Sequence, residues 1–255
     1  MPEVIDFIIQ AASVVCPLCE FTFATPNLAY MPNPNRLTPV EADLHRVLPD
    51  PGVRGALVTV CPSCTYAGWL ALFQTVYIIP ALLVPTPLLA YSKKFGFALL
   101  SARKLNEPLL DRAILAMNGL WCAREELAAG IGNQKDVTRW YKVATIELSQ
   151  AMEDKSWSGN TSRYSYILGE LLRQMGDFHG AVRYLETVDR RSMLPKEVVD
   201  HQIRMAKEGN SSPILLPPYL VEKVFILPKP AAPNNLPQTG VTEITAAQQQ
   251  VARLA

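Results

Sequence analysis

Apolar positions follow two regimes along this chain, a β-like pattern at the front and a helical one behind it. Phe7-Ile8-Ile9 and Val14-Val15 predict a strand over the first fifteen residues, or a short helix followed by a strand. Phe21-Thr22-Phe23 alternates in the β manner, and Leu57-Val58-Thr59-Val60 reads as a further strand. Between them lie Pro26, Pro32, Pro34, Pro39, Pro49 and Pro51, a spacing that forbids a long helix or a central strand. That segment reads as an ordered loop or a mobile excursion, with Asp43 and His45 as solvated residues. From about Leu88 to Glu208 the period is helical. Leu110, Ala113, Ile114, Met117, Leu120 and Trp121 form a one-sided apolar stripe, with Asn106 as N-cap and Pro108 in the first turn. Trp140, Ala144, Leu148 and Ala151 share the face of the next helix, capped by Asp136, after a break at Gly130, Gly132 and Asn133.

The stretch from Tyr166 to Leu185 has the offsets of a tetratricopeptide unit. Gly169 lets two antiparallel helices approach, Gly176 permits the left-handed turn between them, and Ala181 keeps the crossing narrow. Pro195 opens a further helix, Lys196 to about Lys207, which covers the end of the pair. One such unit cannot bury its own face, so the earlier helices are expected to act as degenerate partners. Beyond residue 208, Pro213, Pro217, Pro218, Pro228, Pro230, Pro233 and Pro237 break regular structure. Val221 to Leu227 reads as a short strand or docking segment, and the remainder as a flexible tail. Leu236-Pro237-Gln238-Thr239-Gly240 matches a cell-wall sorting motif by letters, without the apolar span and basic end that the motif requires.

Between Arg54 and Lys93 there is no charged residue. Trp69 to Tyr91 is long enough to span a bilayer, but Pro80, Pro85 and Pro87 argue against a straight membrane helix. The favoured expectation is a buried helix from about Tyr66 to Tyr77 followed by a packed apolar turn. Membrane association through Trp69–Tyr91 is the alternative.

Composition narrows the function classes. Of the 255 residues, 24 are Lys or Arg and 23 are Asp or Glu, so the net charge is only +1. Such a balance gives no electrostatic footprint for nucleic acid or an anionic membrane. The three histidines, His45, His179 and His201, form no metalloprotease pattern, and no Gly-rich phosphate loop is present.

The chemistry lies in the cysteines. Cys16-Pro17-Leu18-Cys19 and Cys61-Pro62-Ser63-Cys64 are two Cys-x-x-Cys turns, each able to aim two sulfurs at one ion. Four thiolates complete the closed tetrahedral shell that structural zinc prefers. Asp43 or His45 would be a replacement ligand, but four cysteines already fill the tetrahedron. Cys122, between Trp121 and Ala123, reads as a buried inert thiol. The start, Met1-Pro2-Glu3-Val4-Ile5-Asp6, is acidic where a signal peptide would be basic, and Val14-Val15 before Cys16 is a poor lipoprotein cleavage site. A reducing cytoplasm with thiolates on zinc is therefore expected over two disulfides. The competing reading is thiol–disulfide chemistry, since Cys61–Cys64 precedes an expected helix.

Cys16-Pro17-x-Cys19 with Phe21 and Phe23, Asp43, and Cys61-Pro62-x-Cys64-x-Tyr66-Ala67 together resemble the start of a bacterial family catalogued as domain of unknown function 2225. The resemblance continues at Tyr166-Ile167-Leu168-Gly169-Glu170-Leu171 and Gly176-Asp177-Phe178-x-x-Ala181-Val182, and runs from about residue 14 to 208. It implies a zinc-ribbon-like front and tetratricopeptide-like helices, with no established activity. The family usually carries Gly after each Cys-Pro-x-Cys turn. Here Glu20 and Thr65 stand there, which predicts strain in both knuckles.

The expected fold class is α+β, mainly α. Residues 1–68 form a zinc-ribbon-like module with a proline-rich insert, residues 69–208 a tetratricopeptide-like antiparallel helical array, and residues 209–255 a tail. The expected function is a non-catalytic, cytoplasmic interaction protein with zinc on Cys16, Cys19, Cys61 and Cys64, and a protein or peptide partner on the helices. Nucleic-acid binding through the ribbon is the weaker alternative, because Arg36, Arg46 and Arg54 of the insert are offset by Glu41, Asp43 and Asp50. The oligomeric state is left open.

Overall fold

A computed structural model describes residues 8–30, 38–79, 89–155, 157, 159–189 and 194–225. A small antiparallel β front precedes an array of helices, so the fold is α+β and mainly α. Strand β1 (Ile8–Val15) lies between β2 (Thr22–Tyr30) and β5 (Gln74–Ile79) in a three-stranded antiparallel sheet. A second sheet pairs β3 (Val58–Val60) with β4 (Ala67–Trp69). Pro26 sits within β2, opposite Ala11, and β2 is an edge strand, where a missing N–H is tolerated.

The expected helix over Tyr66–Tyr77 is not formed. That stretch is β4, a single 3₁₀ turn at Leu70–Leu72, and β5. Trp69 donates no charge or cap to the sequence pattern, and an uncharged apolar run reads alike as helix or strand. The β-branched Thr75, Val76, Ile78 and Ile79 decide for strand. The apolar turn expected after it falls at residues 80–88, outside the described residues. Among the described residues, no helix is long and apolar enough to cross a membrane.

The helices are α1 (Pro51–Gly55), α2 (Tyr91–Lys104), α3 (Leu109–Ala128), α4 (Gln134–Glu153), α5 (Thr161–Gln174), α6 (Phe178–Glu186), α7 (Lys196–Lys207) and α8 (Pro218–Phe225). Each helix from α2 to α6 packs on the next in sequence. Helix α3 is the centre of the array. Every residue from Leu115 to Ala123 is buried, so the apolar surface is not the one-sided stripe expected. The Glu147 carboxylate on α4 accepts from Arg103 of α2 and Arg112 of α3, which ties these three helices together.

Two caps move. Asn106 does not open α3. It ends α2 in the left-handed region at φ 54°, and Glu107 N–H closes the turn on Ala102 O at 2.9 Å. Asparagine tolerates that conformation, and Pro108 then precedes α3. Helix α4 is capped by Asn133, whose side chain accepts from Asp136 N–H at 3.0 Å, so Asp136 lies in the first turn.

The α5–α6 pair forms as expected. Gly176 has φ 85°, and Ala181 is fully buried. A Cβ on Gly169 would lie 2.7 Å from Leu185 Cγ, so only glycine fits that crossing. Helix α7 starts after Pro195 as expected.

The region after residue 208 begins packed rather than free. Arg173, fully buried on α5, donates to the carbonyls of Asn210 and Ser212 at 2.6 and 3.0 Å. Leu216 N–H donates to Val40 O at 2.7 Å, and Ala42 N–H to Ile214 O at 2.8 Å. The expected strand or docking segment at Val221–Leu227 is helical over its described part. It belongs to α8, whose Leu220 and Val221 enter the main core. The rest of the expected tail, including Leu236–Gly240, lies outside the described residues.

Candidate metal centre

The four paired cysteines converge. β1 delivers Cys16, and β3 delivers Cys61, as the strands expected over the first fifteen residues and at Leu57–Val60 implied. The two turns then fold alike. Glu20 N–H donates to Cys16 O at 3.0 Å and Thr65 N–H to Cys61 O at 3.0 Å. Cys16 N–H bonds Phe21 O at 3.0 Å and Cys61 N–H bonds Tyr66 O at 2.8 Å. Closing each turn forces the residue after the second cysteine left-handed, Glu20 at φ 59° and Thr65 at φ 62°.

The sulfurs meet across the knuckles. Cys16 Sγ lies 3.7 Å from Cys64 Sγ, and Cys19 Sγ 3.6 Å from Cys61 Sγ. All four lie within 4.8 Å of one another, a cluster that can hold a metal ion. Cys16 and Cys61 are buried on a small core of Ala12, Val14, Tyr66 and Phe73, with Phe23 and Leu70 against it. Cys19 and Cys64 lie at the surface.

The electrostatics favour thiolate at one position and resist it at others. The Phe21 N–H, foremost, pulls the Cys19 thiol down to about 7. The Tyr66 N–H favours the Cys64 thiolate, but burial and the neighbouring sulfurs outweigh it and push that thiol up to about 12. Burial, foremost, raises Cys61 as well. Four sulfurs this close cannot all ionise without a compensating cation, and a metal ion supplies one. Cys122 is apart from the group. It is fully buried on α3, and burial, with Glu126 and Glu125 nearby, holds its thiol well above the ordinary value.

Asp43 and His45 are not solvated loop residues. They occupy the tip of a tight loop bridged at Val40 and Arg46, with Leu44 at φ 65°. Asp43 is fully buried and His45 nearly so. His45 Nδ1 lies 2.6 Å from Glu41 Oε2, its Nε2 lies 2.9 Å from Glu125 Oε1, and its ring stacks on Trp121 at 5.6 Å. Arg124 bonds Asp43 Oδ2 at 2.6 Å and also pairs with Glu41. Arg54, from α1, donates to Glu125 at 2.9–3.1 Å and to Asn118 and the Arg46 carbonyl. Glu41, Asp43 and His45 form a metal-like trio by distance. The Arg124 guanidinium already sits on both carboxylates, so the trio is closed by a cation of the chain's own. The loop is thereby a buried ionic clamp onto α3.

That clamp was missed by sequence reasoning. One sign was present: Asn118, Trp121 and Glu125 share a face of α3 with its apolar residues. Polar groups on an apolar face need buried partners. His179 is exposed in the first turn of α6, while Arg46 and Arg54 of the insert are buried.

No family model matches the chain, and no curated protein or solved structure matches it either.

Proposed function

We propose that the chain is a zinc-stapled, non-catalytic interaction protein of the cytoplasm, in keeping with its resemblance to the family of unknown function 2225. The observation that carries this reading is the pair of like-folded knuckles with four converging sulfurs. Zinc–sulfur bonds of about 2.3 Å in a tetrahedron require sulfurs roughly 3.8 Å apart. The cross-knuckle separations of 3.7 and 3.6 Å lie close to that edge. A closed shell of four cysteines leaves no position for substrate, so zinc here is structural, and partner binding falls to the helices. Phe97 and Leu100, exposed on α2, offer an apolar surface for a protein or peptide.

The thiol–disulfide reading keeps one supporting observation, an exposed Cys19 with its thiol at about 7. Its other support is gone, because Cys64 is followed by β4 and not by a helix. Metal content and a thiol count decide between the two, on protein purified without added metal. The expected result is about one zinc per chain, lost in Cys16→Ser and in Cys61→Ser. Metal-free protein whose cysteines cycle as a disulfide under mild reductant would replace the zinc reading with the redox one.

A further inference from the structure

Strand β5 ends its sheet, in the order β2-β1-β5, and no strand among the described residues pairs with its outer edge. Half of its backbone N–H and C=O groups therefore face away from β1. From Gln74 to Ile78 every residue is exposed, on both faces of the strand. After the polar Gln74 and Thr75 the exposed side chains are largely apolar: Val76 is 53 %, Tyr77 59 % and Ile78 44 % exposed, with Leu72 at 44 % just before the strand. No charge interrupts the strand, and none occurs in the sequence from Gly55 to Ser92. Proteins normally blunt such an edge with charge, proline or a cover. The other edge is blunted, since β2 carries Pro26.

We propose that the outer edge of β5 is the interface between two copies of this chain, paired antiparallel about a two-fold axis at Ile78. An open edge of backbone groups is satisfied by another extended strand, not by a groove-binding helix. Apolar side chains on both faces ask for a strand that is apolar on both faces, and β5 is itself such a strand. Charge adds to the match. Antiparallel self-pairing sets each residue against its symmetry mate or a near neighbour, so any charge on β5 would oppose its own copy. Gln74–Ile79 has none. The register follows from a bulge. Ser13 pairs with Tyr77 and Val14 with Thr75, which leaves Val76 as the extra residue. The regular section is Tyr77–Ile79, centred on Ile78, so Ile78 faces Ile78 and Tyr77 faces Ile79. The two sheets then become one of six strands. A lipid surface fits less well, because unpaired backbone groups are not satisfied in hydrocarbon.

So short an edge is expected to bury no more than the low end of stable interfaces, about 1,200 Å². Dissociation in the micromolar range is expected, so sedimentation is run on the full chain up to about 100 µM. The wild type is expected to dimerise with concentration. Ile78→Lys places two like charges face to face and is expected to be monomeric, with its melting temperature and helical circular dichroism unchanged. Ile78→Cys is expected to cross-link to itself under mild oxidation, since facing Cα atoms about 4.5–5.5 Å apart suit a disulfide. A wild type that stays monomeric over that range overturns the proposal, as does an Ile78→Lys protein that still dimerises. So does monomeric protein that floats with anionic phospholipid vesicles, which would assign the patch to a membrane. None of these readings depends on metal, so a failed zinc assignment and a failed dimer are seen separately.

Discussion

Glu20 and Thr65 hold the one backbone position in each knuckle that must turn left-handed, at φ 59° and 62°. An L-residue there loses roughly 1–2 kcal/mol, and glycine gives back about 0.5–1 kcal/mol of that through its freer unfolded chain. The strain exceeds what glycine would give back, and it is greater at Thr65, whose branched Cβ crowds the backbone. Glu20→Gly and Thr65→Gly are each expected to raise the melting temperature and slow metal release to a chelator, Thr65→Gly more so. Unchanged melting and release in both would show that the knuckles carry no strain. The Cys-x-x-Cys pairs were legible in the sequence, and the strain was implied by the resemblance, whose family usually carries glycine where Glu20 and Thr65 stand. Spacing alone fixes where a tight turn must fall, while the residue expected to be strained came from the resemblance. The identity of the nearest sulfur pairs was not legible, because it depends on how two turns distant in sequence are brought face to face.

Two of the helix crossings among the described residues close over Gly119 and Gly169. A Cβ on Gly119 of α3 would lie 2.5 Å from the Trp140 ring of α4, and one on Gly169 of α5 would meet Leu185 of α6 at 2.7 Å. Overpacking at such crossings costs about 1–3 kcal/mol. Gly119→Ala and Gly169→Ala are therefore each expected to lower denaturant stability by that order, although alanine favours helix by about 1 kcal/mol where space allows. Gain of stability in either would mean that the crossing relaxes freely. Periodicity revealed the Gly169 crossing, because the small residues recur at known offsets. It concealed Gly119, which lies on the opposite side of α3 from the apolar stripe, on a face that is nonetheless buried. Another limit applies at β4 and β5: without charge there is no polar face from which to read a period. The ordering of residues 214–216 against the Val40–Arg46 loop was beyond reach for a different reason, since prolines report what a segment cannot be, not what it docks on.

Two buried sets of charges, one tying the Val40–Arg46 loop to α3 and one on α5 holding residues 210–212, set how the whole molecule answers to pH. Burial opposes ionisation of Asp43, but Arg124 and then His45 outweigh it and hold the carboxyl below its ordinary value. Burial likewise opposes Glu125, and Arg54 and His45 outweigh it. A carboxyl depressed in the folded state contributes stability above its unfolded pKa, near 3.9 for Asp and 4.3 for Glu, and loses it as pH falls through the folded value. Both groups therefore predict acid unfolding that sets in below about pH 4. Glu170 is pushed the other way, since burial, foremost, raises its carboxyl against the Arg173 guanidinium that pairs with both its oxygens at 3.0 Å. Arg124→Gln separates these contributions. It leaves fully buried Asp43 without its main cation, a loss of about 3–5 kcal/mol for a broken buried pair. The Asp43 carboxyl then rises instead of falling. Thermal melts of Arg124→Gln are expected to show stability increasing as pH drops from 7 toward 5, where the wild type holds level or changes little. A variant with the wild-type profile would mean that Asp43 is held ionised by His45 and the loop backbone, and that the clamp closes on α3 through Glu125 and Arg54 alone.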